Sequence, residues 1–507
     1  MILTFFLQLH KVGAMKVTLA GYNIDCVVIE ELKKNSPPRE DITPETLSAS
    51  YARISRDPRP ASELRAAARA EVERARRSNR NIIFKMGHHS VAEHAVFNFD
   101  IVGASRLALE EIEKFRLCSY TEKSQRYIKL KDDFVVPDEV IKAGLKRIFI
   151  ETIKAQNALY HKLYDRLRPY IFDKNKDLAG EPKNHAMLDG WAKEDARYVV
   201  SLATESQLGI TLNARNLEFL IRRFASKKLA ELRELNRKIY ELAKEVAPSI
   251  ILFTEANDYD AKTYQELEIR AGELLDPDVG KKEGNVRLVF STPDGDNKLV
   301  AALLHSSSSL PFRACEEKAR ALSDQNKESF LKLAWQHMEF YDFALREFEY
   351  LDLQYDLVVS ATCFAQLKRH RMATLTTQPY NPALGVTIPP SVEAVGNKTE
   401  FLDMIRMTEE VYDLMKQKME TGAEYVLTNA HRKRALFKVN VRELYHISRL
   451  REDMTAQWDI RQVVAEMVRQ AKNAMPLACS LMGGKDAYPE IFKRLYGKLP
   501  KLSPPKI

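Results

Sequence analysis

Apolar residues recur at helical spacing through much of the first half of the chain, with short strand-like runs between. Ser62 to about Ser78 is rich in Ala, Arg and Glu, and Asp138 to about Arg168 carries apolar positions 3.6 residues apart, so both read as helices. Met15 to Leu19 reads as a strand entering a domain, and the polar stretch 173–184 as a loop. Ala196 to Leu202 is strand-like, as is Leu208 to Leu212 before Asn213; Leu217 to about Ala247 reads as one long charged helix closing on Pro248. The order then restarts. A helix-rich segment ends at Arg369-His370-Arg371, Ala423 to Leu427 is strand-like, and Ala435 to Asn440 leads into a final long helix stopped near Pro476.

This recurrence reads as an internal duplication. Arg116 and Arg371 are 255 residues apart (371 − 116), and Asn213 and Asn440 are 227 apart (440 − 213). The second copy is therefore 28 residues shorter between these landmarks, and the polar loop around 173–185 is where the extra residues belong. From Asp258 to Asp296 the chain is charged and turn-rich, which marks a linker. The expected division is a first domain over 15–257, a linker over 258–296 and a second domain over 297–507. A chain of 507 residues exceeds one hydrophobic core, as that division requires.

Composition removes several classes of function. A hydrophobic content of 45% with 29% charged residues is that of a globular protein, which argues against disorder. A net charge of +8 permits an anionic ligand, but without a basic stripe it does not imply nucleic acid. Five cysteines, odd in number, scattered and without a Cys-x-x-Cys pair, fit a reduced cytoplasmic compartment and not zinc. No run is long and apolar enough for a membrane span. The apolar opening lacks a charged n-region and a cleavage site, so residues 1–14 read as an upstream extension rather than a signal peptide.

The candidate chemistry is divided between the halves. On a helix, Gln366, Arg369 and His370 at i, i+3 and i+4 would share a face, with Arg371 adjoining; this suits a phosphate or a polarised carbonyl, and equally a solvated basic helix end. Asn440 stands at a strand-to-helix junction as an N-cap, with Arg442 and His446 one turn apart and Arg451 further along. That is a cradle for an anionic or heteroaromatic ligand, or a cap with surface charges. Trp458, amid the polar residues of Ala456 to Arg461, reads as packing. In the first half, His88, Ser90 and Glu93 group within a turn or two, but no third-ligand pattern accompanies them, so no metal is expected. Glu122, Ser124 and Arg126 alternate, so on an extended segment they would face one side, as a nucleotide clamp or a polar strand face.

Together these segments resemble the flavin-dependent thymidylate synthase family. The first half follows the family pattern over Gly87-His88-His89-Ser90-Val91-Ala92-Glu93-His94, Phe97 to Arg106 and Ser119 to Tyr127, but has Lys114-Phe115-Arg116 where the family has Arg-His-Arg. The second half keeps Arg369-His370-Arg371 and the pattern Asn440-x-Arg442 through Leu450-Arg451 to Ala456-Gln457-x-Asp459-Ile460-Arg461, but has Pro379 where the family has Ser. The resemblance implies an α+β fold, helices around a small antiparallel sheet, in two tandem copies.

It also implies a site assembled from two sets of residues. The second half keeps Gln366, Arg369, His370, Arg371, Asn440, Arg442, His446 and Arg451, and the first keeps Glu122, Ser124, Arg126 and Arg197, with His88 and Ser90 at flavin-contact positions. The reciprocal set is degraded: Phe224 falls near the place of Arg451, and Glu424 replaces Arg197. The implied reaction is methylation of dUMP to dTMP, with FAD as cofactor and NADPH and methylenetetrahydrofolate as co-substrates, in a homodimer rebuilding a four-domain body. Arg451 is the implied catalytic residue; Gln366, Arg369, Glu122, Ser124, Arg126 and Arg197 would hold substrate. His88, Ser90, Arg369, His370, Arg371, Asn440, Arg442 and His446 would hold flavin. A non-catalytic flavin- or nucleotide-binding relative, or an enzyme acting on a modified pyrimidine nucleotide, stays open.

Overall fold

Alternation of buried and exposed side chains builds two small sheets of the same design. The computed structural model describes residues 14–34, 42–275, 284–339 and 342–501, so the extension expected at 1–14 lies, but for Ala14, outside the described residues. Strands β1 (Lys16–Tyr22), β2 (Val96–Ser105), β3 (Ser119–Glu122) and β4 (Glu205–Asn213) form an antiparallel sheet in the order β1-β2-β4-β3. Strands β5 (Val286–Ser291), β6 (Asp352–Ser360), β7 (Thr374–Tyr380) and β8 (Arg432–Asn440) repeat it as β5-β6-β8-β7. One face of each sheet is packed: Phe97, Phe99 and Ile101 of β2, and Leu353, Tyr355 and Leu357 of β6, are buried in separate cores. With helices packed against each sheet, this is the expected α+β fold in two copies.

The register accounts for the repeat to the residue. Val96 pairs with Asn213 as Asp352 pairs with Asn440, an offset of 256 in the central strand (352 − 96). By the helix caps Ser105 and Ser360 the offset is 255 (360 − 105). A bulge in β2 between Val102 and Ala104 absorbs the difference, and the unpaired residue is Gly103 at φ +81°, a conformation a side chain would disfavour. Strand β6 runs through the same region in continuous register.

Several expected elements differ. The helix of 62–78 is two, Ala61–Ala70 and Val72–Asn79, broken at Glu71. That of 138–168 is also two, Asp138–Lys142 and Lys146–Lys174, separated at Gly144 with φ +72°. The polar stretch 173–184 is not a simple loop, since the long helix continues to Lys174 and short turns Lys176–Ala179 and Pro182–Asn184 follow. Leu217 to Ala247 becomes Ala214–Ala225 and Ala230–Val246, and the final helix becomes Val441–Arg451 and Trp458–Ala474. The two strand-like runs, 196–202 and 423–427, are 3-10 turns at Arg197–Val199 and Ala423–Val426; the first is buried throughout and the second but for Glu424, and such a run carries no period to tell turn from strand. The linker region 258–296 is largely structured: it holds the helix Asp258–Leu274 and the edge strand β5.

The chain does not divide into contiguous halves. The first compact unit takes described residues within Met1–Arg166, Val199–Val279 and Asn397–Thr428; the second takes those within Leu167–Tyr198, Gly280–Gly396 and Asn429–Ile507. Each unit thus includes a segment from the other half of the sequence. In the first unit, Gln156 Nε2 donates to Thr408 Oγ1 at 2.9 Å and to the Val426 carbonyl at 3.0 Å, both buried, so the helix Lys398–Lys418 belongs to this core. In the second, the Ala430 amide donates to the Tyr198 carbonyl at 2.9 Å, and Asn429 Nδ2 to that of Arg197 at 3.0 Å.

Candidate active site

The second unit gathers nine of the fourteen residues singled out by sequence. The helix Ala361–Leu367 is capped by Ser360, whose side chain accepts from the Cys363 amide. It ends before the Arg-His-Arg run, so Gln366, Arg369 and His370 do not share a helix face as expected. Tight turns bring them together instead, with the Arg369 amide reaching the Gln366 carbonyl (3.4 Å) and that of His370 the Leu367 carbonyl (3.2 Å). Asn440 caps Val441–Arg451 as expected, its Oδ1 accepting from the Glu443 amide at 2.8 Å.

Arg451, near the end of that helix, donates from Nε to His370 Nε2 at 3.0 Å and from Nη2 to the Gln366 carbonyl at 3.4 Å. His370 is buried, with Nδ1 3.6 Å from Glu443 Oε1. An imidazole nitrogen that accepts from a guanidinium carries no proton, so the proton sits on Nδ1, toward Glu443. Burial lowers the His370 pKa from its ordinary value; the bond to Glu443 opposes this, and Arg451 reinforces it. His446 lies edge-on to His370, ring centroids 6.3 Å apart, and packs 5.5 Å from Phe343. Arg442 commits Nε to the Ala344 carbonyl (2.7 Å) and Nη1 to Glu349 (2.9 Å), so part of its guanidinium holds this wall of the cradle in place.

Arg197 is in the same unit, buried, one residue before Tyr198. The Tyr198 hydroxyl donates to Asp459 Oδ2 (2.9 Å) and accepts from Gln457 Nε2 (2.8 Å); Gln457 Oε1 accepts from Gln366 Nε2 at 3.5 Å. Burial raises the Asp459 pKa, while the Ser360 and Tyr198 hydroxyl groups donating to it act in the opposite sense. This buried network fixes Gln366 from behind. Among the described residues, the Gln366 side-chain oxygen is itself buried without a hydrogen-bond partner. A buried acceptor left unmet costs about 1–3 kcal/mol, which a ligand donor placed there would recover.

The other five residues lie in the first unit. Glu122 ends β3 and pairs with Arg106 at 3.3 Å, both buried; Ser124 and Arg126 follow in a turn, with Ser124 Oγ accepting from the Arg126 amide at 3.2 Å. They are therefore not three positions on one strand face. His88 and Ser90 are exposed at the start of the 3-10 turn His89–His94.

At the places of the cradle, the first unit has a different chemistry. By the offset of 255, Phe115 stands for His370; by the offset of 227, Phe219 stands for His446 and Phe224 for Arg451. Phe115 meets Phe219 at 5.5 Å and Phe224 at 5.8 Å, both edge-to-face. Two imidazoles and a guanidinium have become three phenyl rings.

The family model described as "Thymidylate synthase complementing protein" matches residues 40–249 and again 287–477. The chain belongs to that family. A flavin-dependent thymidylate synthase of Clostridium tetani is 33% identical over 178 residues, covering 34% of this chain and 68% of that protein. A UPF0159 protein of Chlamydia muridarum is 23% identical over 421 residues, covering 79% of each chain. Another, of Thermoplasma acidophilum, is 23% identical over 433 residues, covering 78% of this chain and 86% of the relative. Among solved structures, a UMP/dUMP methylase of Streptomyces cacaoi bound with 5-Br dUMP aligns with 46% of this chain and 92% of its own, at 18% identity and a TM-score of 0.33. A Helicobacter pylori thymidylate synthase with FAD and dUMP aligns with 47% and 99%, at 15% identity and a TM-score of 0.30. The family match falls once on each copy, as the two sheets do.

Sequence reasoning had not given Tyr198, Glu443 or Gln457 a role. Tyr198 had a signal available: it and Tyr425 are separated by 227 (425 − 198), the offset of the two cap asparagines. Glu443 had none, because Asn216 stands at its place in the first copy.

Proposed function

We propose that the chain converts dUMP to dTMP, with FAD held in the cradle of the second unit. The observation that carries this reading is the buried, unmet oxygen of Gln366 beside the Arg451–His370 pair. The surrounding residues suit a flavin nucleotide: Arg369, Arg371 and Arg442 supply donors for phosphate, His370 and His446 aromatic faces, and Asn440 the helix start. FAD, once reduced by NADPH, supplies the hydride, and methylenetetrahydrofolate the carbon. Arg451, held by His370, presents a fixed cation to negative charge developing on the pyrimidine ring, and fixed donors do this without reorganising. The network behind Gln366 holds its amide toward the base. Arg197, with Glu122, Ser124 and Arg126 as the clamp implied by the resemblance, binds sugar and phosphate, and His88 and Ser90 contact flavin.

In this reading the active protein is a homodimer. A second reading, methylation of another pyrimidine nucleotide, draws on the UMP/dUMP methylase named among the structural neighbours. Purified protein given FAD, dUMP, NADPH and methylenetetrahydrofolate should oxidise NADPH and release dTMP. Oxidation with UMP but not dUMP selects the second reading. Absence of any flavin absorbance or FAD-dependent fluorescence change defeats both.

A further inference from the structure

The cradle of the first unit has lost its polar chemistry without being filled in. A cavity of about 450 Å³ remains beside Phe115, Phe219 and Phe224, bounded also by Leu117, Asn216 and Tyr264. Phe224 is buried, but Phe219 is 40%, Leu117 75% and Tyr264 74% exposed, so the slot has an apolar floor and an open apolar rim. That volume is within the range of small-molecule sites.

Lys114, Arg116, Arg223 and Lys227 line it with Glu111, so cations outnumber carboxylates at its edge. Glu111 pairs with Lys114 and with Lys227 (2.8 Å), and these two ammonium groups outweigh burial to hold its carboxyl down to about 2. Helix Asp258–Leu274, from the region expected to be linker, forms one wall with Tyr264 and brings in Asp260. The buried Asp260 carboxylate takes Arg222 at 2.9 Å and Arg223 at 3.0 Å. Both guanidinium groups also stand over Phe219, at 5.6 and 5.2 Å. A planar ring entering here could meet aromatic edges and faces as these rings already meet one another.

We propose that this slot is a second binding site for an uncharged planar aromatic ring system. Lumichrome, an uncharged tricyclic ring at pH 7, is the probe, titrated by its own fluorescence into protein saturated with FAD. One saturable site per chain is expected, unchanged by Arg451→Ala. Tyr264→Ala should weaken it by about three- to tenfold, the worth of an aromatic contact, and Leu117→Asp, which sets a carboxylate on the apolar rim, should weaken it too; both positions are exposed. Because these variants locate the site, the result is independent of whether FAD binds the second unit. No saturable binding, as when a second chain covers the slot, overturns the proposal; so does binding indifferent to both variants. Equal affinity for decanol would overturn the aromatic class.

Discussion

Tyr198 donates its hydroxyl to Asp459 at 2.9 Å, and Tyr425 donates to Glu231 at 2.7 Å. Each bond joins residues from opposite halves of the sequence inside one compact unit. In both, a cap serine completes the node: Ser360 reaches Asp459 at 2.6 Å and Ser105 reaches Glu231 at 2.7 Å. The exchange of segments is thus anchored twice by the same chemistry, a buried carboxylate met by two hydroxyl groups.

Removing either hydroxyl should destabilise the fold. Tyr198→Phe and Tyr425→Phe each leave a buried carboxylate one donor short, at a cost of about 1–3 kcal/mol. Acting in separate units, the two should add. Urea denaturation monitored by circular dichroism reads this, and unshifted midpoints in both variants would refute the anchoring role.

The two cradles should respond unequally. Arg451→Ala and Arg126→Ala should each abolish or severely reduce dTMP formation, since loss of one charged partner of a bound anion costs on the order of 2–5 kcal/mol. Arg116→Ala should cost much less, because Phe115, Phe219 and Phe224 surround that copy. Equal losses of kcat/KM in all three would place activity in the wrong unit.

FAD affinity should fall in acid. The His370 form that accepts from Arg451 is neutral, and burial holds its pKa below the ordinary 6.5, so the neutral form persists to below that pH. A depressed folded pKa means the arrangement is fully stabilising above 6.5 and is lost as pH falls through the lower folded value. His446, also lowered by burial and near Glu443, Arg449 and Arg451, titrates in the same sense. Fluorescence titration at successive pH values, with His370→Gln as an acceptor that does not ionise, should show a flatter profile for the variant. The same slope in both would remove His370 from the explanation.

Asp195 predicts the opposite slope. Burial pushes its carboxyl up to about 6, against the bonds it accepts from Ser391 and the Trp458 indole. A raised folded pKa contributes stability below the unfolded value near 3.8 that is lost as pH rises through 6. Asp195→Asn, which can still accept from Trp458, should gain on the order of 2–3 kcal/mol over wild type as pH rises from 4 to 7. Thermal melts that run parallel across that range would contradict it.

Analytical ultracentrifugation should find two chains per particle, as the proposed homodimer requires. Mixing Arg126→Ala with Arg451→Ala chains then tests how the clamp is supplied. Recovered activity means it comes from the partner, and two inactive parents that stay inactive mean it comes from the same chain. A monomer with full activity would refute the assembly.

The sequence by itself determined the repeat, the family and the division of retained residues between the halves. The strand Leu208 to Leu212, the cap Asn440 and Arg369-His370-Arg371 are local features, each written in a few adjacent residues. Only the tertiary structure decided which unit holds Tyr198 and Tyr425, because a run buried almost throughout has no exposed face to give it a period, and its partner lies more than 190 residues away. Only the tertiary structure, too, set Arg451 on His370 and closed Phe115 on Phe224: the sequence shows that residues have changed, but side-chain contact depends on where a helix stops and the chain turns.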